Sequence, residues 1–164
     1  METFATLFTN GNFYAYLGVA LAVGLGCIGS AKGVGLVGEA SSGVLSEEPE
    51  RFGQCLILQA LPGTQGIYGF VVAFLIILKL GMIGGGMVDL TVAQGAYLFA
   101  AGLPIGIVGI ISGIQQGKAA AAGLQLTAKR PDQMTKGVIY AAMVETYAIL
   151  ALLVSILIWL GTSV

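Results

Sequence analysis

The sequence predicts an all-α membrane protein, with four transmembrane helices built as two tandem-duplicated hairpins and assembling into a multi-subunit ring. Three observations carry that expectation. Only 9% of the 164 residues are charged and 57% are hydrophobic, with a mean hydropathy of +0.93. A soluble domain carries about 25% charged residues, so this chain lacks the polar surface to cover a water-soluble globule. Four apolar segments each exceed the roughly 20 residues that a helix needs to cross a bilayer. Finally, the second half of the chain repeats the first.

Composition also excludes several chemistries. There is no His, and the two cysteines, Cys27 and Cys55, lie in apolar runs. That removes zinc sites, His-based catalysis and a disulfide framework, and leaves the cysteines as inert packing residues. A net charge of -1 gives no reason to expect nucleic acid. The N-terminal METFATLFTNGNF has no Lys or Arg, so it lacks the basic region of a cleaved signal peptide.

The segments run roughly 13–38, 54–80, 92–124 and 138–160. With its polar extension to Lys129, the third should reach roughly 50 Å and project beyond the lipid. Lys32, Arg51, Lys118, Lys129, Arg130 and Lys136 gather around the 1–2 and 3–4 loops, and only Lys79 lies toward the 2–3 linker. The positive-inside rule places those two loops in the cytoplasm. Both termini and the glycine-rich linker then face outside the cell membrane, where Tyr14, Tyr16 and Trp159 can anchor at the interface.

The repeat is legible residue by residue. Pro49-Glu50 corresponds to Pro131-Asp132, Thr64 to Thr146, and Gly66-Ile67 to Ala148-Ile149. Upstream, after a two-residue shift, Gly29 and Gly33 correspond to Gly113 and Gly117. Residues 1–80 form the first hairpin, 81–91 the extracellular linker, and 92–164 the second hairpin. Gly63 stands where the second copy has Glu145, so only the second hairpin carries a carboxylate at this position.

Segment 1 has small residues at Gly18, Ala22, Gly26, Gly29 and Gly33, and segment 3 at Gly102, Gly106, Gly109, Gly113 and Gly117. Steps of three and four keep each set on one helix face. In lipid such faces mark close helix packing. Segments 1 and 3 should form a crowded inner layer, with bulkier segments 2 and 4 outside. One chain can hardly satisfy two such seams, which points to a closed ring of copies; packing within a monomer is the alternative. Gly33-Val34-Gly35-Leu36-Val37-Gly38 spells G-x-G-x-x-G, but a dinucleotide fingerprint follows a strand and opens a helix. Here the glycines lie within a membrane helix, and no P-loop occurs elsewhere.

Glu145 lies in the most apolar part of the chain. An acid near the bilayer centre costs about 2.5–3.5 kcal/mol on insertion scales, and marks a functional site by default. Leu61, Thr64, Gln65 and Tyr68 fall at i, i+3, i+4 and i+7 on one face of segment 2. Pro62 has no N–H, which disturbs the helix beside them. Segment 3 adds Gln115 and Gln116, one of which must face the bundle. One carboxylate with neutral oxygens suits a monovalent hard cation, because the loaded site carries no net charge. A proton needs only the carboxylate, so the surplus oxygens favour Na+ over H+; the alternative is that they hydrogen-bond a protonated Glu145. A pore-forming proteolipid would need a continuous polar path, and the polar cluster sits at one depth. Secondary transporters usually have inverted repeats, whereas these hairpins enter from the same side.

The strings GSAKGVG, ILQALPGTQGIYGFVVAFLI, SGIQQGKAAAAG and AAMVETYAIL resemble the rotor-ring proteolipid (the K or c component) of V-type rotary ATPases. The pattern is similar to the bacterial sodium-translocating form. The resemblance implies an Na+ site made by the Glu145 carboxylate, Thr64, Gln65, Gln116 and the backbone oxygen of Leu61, with Tyr68 hydrogen-bonded to the carboxylate. It also implies a homo-oligomeric ring in lipid, turned by ATP hydrolysis in other subunits through a central stalk, and a stator membrane subunit whose Arg helps to displace the ion. The loop charges Glu47, Glu48, Glu50, Arg51, Lys129 and Arg130 are then solvated, or else dock the stalk. With Gly63 in place of a second carboxylate, one ion moves per four helices, which favours a pump over a synthase.

Overall fold

A computed structural model describes residues 6–164, so the first five residues of the METFATLFTNGNF stretch lie outside the described residues. All regular elements among the described residues are helical. Four are long and apolar enough to cross a membrane: α1 (Gly11–Glu47), α2 (Pro49–Lys79), α3 (Val92–Lys129) and α4 (Pro131–Gly161). The helices outrun their apolar cores. α1 continues through the polar stretch to Glu47, and α3 holds 38 residues, roughly 57 Å at ~1.5 Å each.

Local chemistry sets the ends. α1 starts where the Asn10 side chain accepts the Asn12 N–H at 2.9 Å, an N-cap. α3 starts with a capping box made by Thr91 and Gln94. α2 and α4 open with short 3-10 turns, Pro49–Arg51 and Pro131–Gln133, in which proline needs no N–H partner. Pro62 interrupts α2 as expected. A second 3-10 turn, Leu61–Gly63, separates the α-helical stretches Phe52–Ala60 and Thr64–Lys79. Pro104 lies inside α3, where the adjacent Ile105 N–H donates to Ser155 Oγ of α4 at 3.2 Å.

The glycine faces meet each other. A Cβ on Gly29 would lie 2.2 Å from the Gly109 carbonyl oxygen, one on Gly33 2.2 Å from that of Gly113, and one on Gly102 2.3 Å from that of Gly18. α1 and α3 therefore run parallel with backbone against backbone. Gly69 abuts the Ala22 carbonyl and Gly123 abuts Gly137, which brings α2 onto α1 and α4 onto α3. The two seams satisfy one another inside a single chain. The expectation that they need further copies is corrected on this point, so a ring cannot be argued from the glycines. The bulkier outer pair does leave large apolar side chains uncovered, among them Ile67 and Phe70 on α2 and Tyr140, Met143, Tyr147 and Leu150 on α4.

At one end of the bundle the Arg51 guanidinium pairs with Glu48 at 2.5 Å and donates to the Thr127 carbonyl at 2.8 Å. This part of the first loop is thus held against the end of α3 instead of being solvated. At the other end Asn12 clamps the linker, donating to the Val88 carbonyl at 3.0 Å and accepting the Leu90 N–H at 2.9 Å. Gly81, with φ +70, begins that turn; a Cβ there would meet the Gly86 carbonyl at 2.1 Å. Lys79 Nζ donates to the carbonyls of Trp159 and Thr162 and lies 4.7 Å from the Trp159 ring centroid, joining the two hairpins.

Two buried apolar clusters fill the bundle. One contains Ala22, Val72, Ile76, Leu98 and Ile105. The other contains Val37, Cys55, Leu58, Leu124 and Ala141. A thin polar layer separates them.

Candidate functional site

The polar layer is built from the middles of α2, α3 and α4. The turn at Leu61–Gly63 presents the backbone on which the group rests: Thr64 Oγ1 donates to the Leu61 carbonyl at 3.2 Å. One turn on, the Tyr68 hydroxyl donates to Glu145 Oε1 at 2.6 Å. Gln116 Nε2 donates to Glu145 Oε2 at 3.2 Å. Both carboxylate oxygens are therefore engaged, and the 2.6 Å bond has the length of a charge-assisted O–H···O contact. Glu145 itself is partly buried, whereas Gln65 and Gln116 are fully buried.

Of the six residues named from the sequence, Tyr68 and Gln116 bond to Glu145 and Gln65 bonds to Gln116, while Thr64 and Leu61, on the same stretch of α2, bond to each other. It also decides between the two glutamines of α3, since Gln116 is buried and Gln115 exposed. Gln116 directs its amide nitrogen to the carboxylate, and its oxygen accepts from Gln65 Nε2.

Gln65 is the unusual member. Its nitrogen donates to Gln116 Oε1 and to Ser112 Oγ, the latter at 3.3 Å, while its own Oε1 is buried with no donor. A buried amide oxygen without a partner costs about 1–3 kcal/mol, and such orphans need an explanation. A cation would satisfy it. Among the described residues no group of three or more His, Cys, Asp or Glu could hold a metal ion. The donor set is thus a single carboxylate with neutral amide, hydroxyl and carbonyl oxygens. That set fits a hard monovalent cation, and it places the charge between two apolar clusters where water screening is weak.

Sequence reasoning missed Ser112. Its hydroxyl donates to the Val144 carbonyl at 3.1 Å, one residue before Glu145. The available signal was its spacing, since Ser112 lies four residues before Gln116 on the same helix face.

Other candidate sites dissolve. Gly33, Gly35 and Gly38 lie within α1, with no strand before them. The ion pair found among the described residues is Arg51–Glu48. Both cysteines are free. Cys55 is buried as expected, but Cys27 is exposed on the outer face of α1, so its reading as a packing residue does not hold within the single chain.

Comparison with known proteins adds the following. The family model for the C subunit of ATP synthase matches residues 17–76 and again 99–158, one match per hairpin. The chain is 54% identical to the V-type sodium ATPase subunit K of Enterococcus hirae over 151 residues, covering 92% of this chain and 93% of that protein. It is 42% identical to the A-type ATP synthase subunit K of Methanocaldococcus jannaschii over 145 residues, covering 88% of this chain and 61% of that protein. It is 30% identical to the 16 kDa proteolipid of the V-type proton ATPase of Nephrops norvegicus over 151 residues, covering 92% of both.

Proposed function

The chain belongs to the ATP synthase C-subunit family, and from that premise we propose that it is the rotor-ring proteolipid of a V-type sodium-translocating ATPase. In this reading Glu145, Thr64, Gln65, Gln116 and the Leu61 carbonyl take Na+ as cargo, and Tyr68 holds the carboxylate. The single observation that carries it is the buried, donorless Gln65 Oε1, on an amide tied through Gln116 to the Glu145 carboxylate. A proton needs only Glu145, and the protonated acid would reach that oxygen only by turning an O–H to it, whereas both carboxylate oxygens already accept from Tyr68 and Gln116. The name of the relative at 54% identity, a sodium ATPase subunit, supports the same cargo; the relative at 30% is named as a proton ATPase proteolipid.

The function follows from electrostatics. An empty Glu145 carboxylate turned toward lipid is costly, whereas a carboxylate neutralised by one Na+ is not. Occupancy therefore gates the passage of each site through lipid. Copies of the chain assemble into a ring, and their exposed apolar faces on α2 and α4 are covered by lipid, neighbouring copies or the stator. ATP hydrolysis in soluble subunits turns the ring through a central stalk, and an Arg of the stator subunit displaces the ion. The hairpins 1–80 and 92–164, joined by the linker 81–91, divide the work: one packs, the other carries the charge. The 1–2 and 3–4 loops face the cytoplasm, and both termini face outside. One carboxylate per four helices means fewer ions per turn and more free energy per ion, which suits a pump.

The test is carbodiimide modification of Glu145 in the intact ring, with and without Na+ at fixed pH. Na+ should protect the carboxylate. Absence of protection at high Na+ would leave H+ as the cargo.

A further inference from the structure

We propose that Ser112 is a positioning residue that sets the ion preference of the site by fixing which way the Gln65 amide faces. The inference rests on the cation reading above and adds a residue and a mechanism to it.

The argument is one of hydrogen-bond polarity. A backbone carbonyl can only accept, so the Val144 oxygen takes the single proton of the Ser112 hydroxyl, at 3.1 Å. The hydroxyl is then left with lone pairs only, and whatever faces it must donate. Gln65 Nε2 does so at 3.3 Å. A carboxylate likewise can only accept, so Glu145 Oε2 takes the Gln116 amide N–H, and Gln116 Oε1 turns to Gln65. Two obligate acceptors on α4, Val144 and Glu145, thus each claim one N–H of Gln65 through a relay. The amide cannot flip without setting its oxygen against two acceptors, Ser112 Oγ and Gln116 Oε1, and leaving its own N–H groups without those partners. Its Oε1 is held free of any donor and available to a cation.

Removing the Ser112 hydroxyl cuts one of the two relays. One buried Gln65 N–H then loses its partner, and the amide gains rotational freedom. Cation binding, which uses Oε1, should suffer. Protonation, which uses only Glu145, should not. Ser112 is itself buried but borders an open hollow of about 380 Å³ between α3 and α4, which leaves room for one extra methyl group. Threonine should therefore keep the relay.

The experiment uses intact purified rings and reads the Na+ concentration that half-protects Glu145 from a carbodiimide at fixed pH. S112A should raise that concentration about tenfold and leave the Na+-free labelling rate unchanged. S112T should restore it. In a Q65A background S112A should add less than about twofold, because the hydroxyl acts through Gln65. A half-protection concentration in S112A within about twofold of wild type overturns the proposal, as does an undiminished effect in the Q65A background. Wild-type rings that Na+ fails to protect would overturn the cation reading itself, a result distinct from either.

Discussion

Gly33→Ala tests the link between the glycine seam and the site. The added Cβ would lie 2.2 Å from the Gly113 carbonyl oxygen and 2.7 Å from Pro62 Cβ, and ordinary contact begins at 3.4 Å. α1 and α3 must therefore part by about 1.2 Å, since the main obstacle is backbone and not a movable side chain. Overpacking of this kind costs about 1–3 kcal/mol. Its functional effect is larger than the energy suggests, because Gly117, next to Gln116, packs on Gly33, and Pro62 lies in the turn that carries Leu61 and Thr64. Binding constellations tolerate about 0.5 Å of displacement. The half-protecting Na+ concentration should rise at least tenfold in whatever ring assembles, and ring yield in detergent should fall. Gly35→Ala, two residues along the same helix, is the control: a Cβ there meets nothing within 4 Å, and alanine gains up to about 1 kcal/mol in helix propensity. It should behave as wild type. Wild-type yield and wild-type Na+ protection in G33A would refute the reasoning, and loss of function in G35A would reopen the dinucleotide-like motif.

Two further outcomes follow from other parts of the structure. In Y68F the carboxylate loses the 2.6 Å bond at Oε1. Hydrogen bonds to charged groups contribute about 1.5–3 kcal/mol, and only the share that pre-orders the carboxylate bears on ion affinity. Half-protection should therefore rise about three- to tenfold, and an unchanged value would remove Tyr68 from the site. In N12L the linker loses both side-chain clamps to Val88 and Leu90. Proteolysis within 81–91 should accelerate while Na+ protection stays at the wild-type level; unchanged cleavage would show that the clamp does not hold the linker.

Much of this protein is legible in its sequence. Carboxylates are so costly in lipid that Glu145 announces itself, and the spacing of Leu61, Thr64, Gln65 and Tyr68 places them on one face by helix geometry alone. The register of the two glycine seams was equally visible, but their destination was not: periodicity shows that a face is narrow, not which other face fills it. The extension of α3 to Lys129 was legible, but the end of α1 was not, because an apolar window measures lipid thickness whereas α1 stays helical through the polar residues up to Glu47. Ser112 escaped notice because a serine in a glycine-rich stripe reads as one more small packing residue. Only its bond to Val144 reveals that it fixes a polarity. Arg51 read as a solvated loop charge for a similar reason, since its tie to the Thr127 carbonyl spans two hairpins.

The central claim is that a single Na+ neutralises a single membrane acid in each chain. Equilibrium binding of radioactive sodium to purified rings measures this directly. The expected result is one Na+ per chain, displaced by acid and abolished in E145Q. No saturable binding, or binding that survives E145Q, would contradict it.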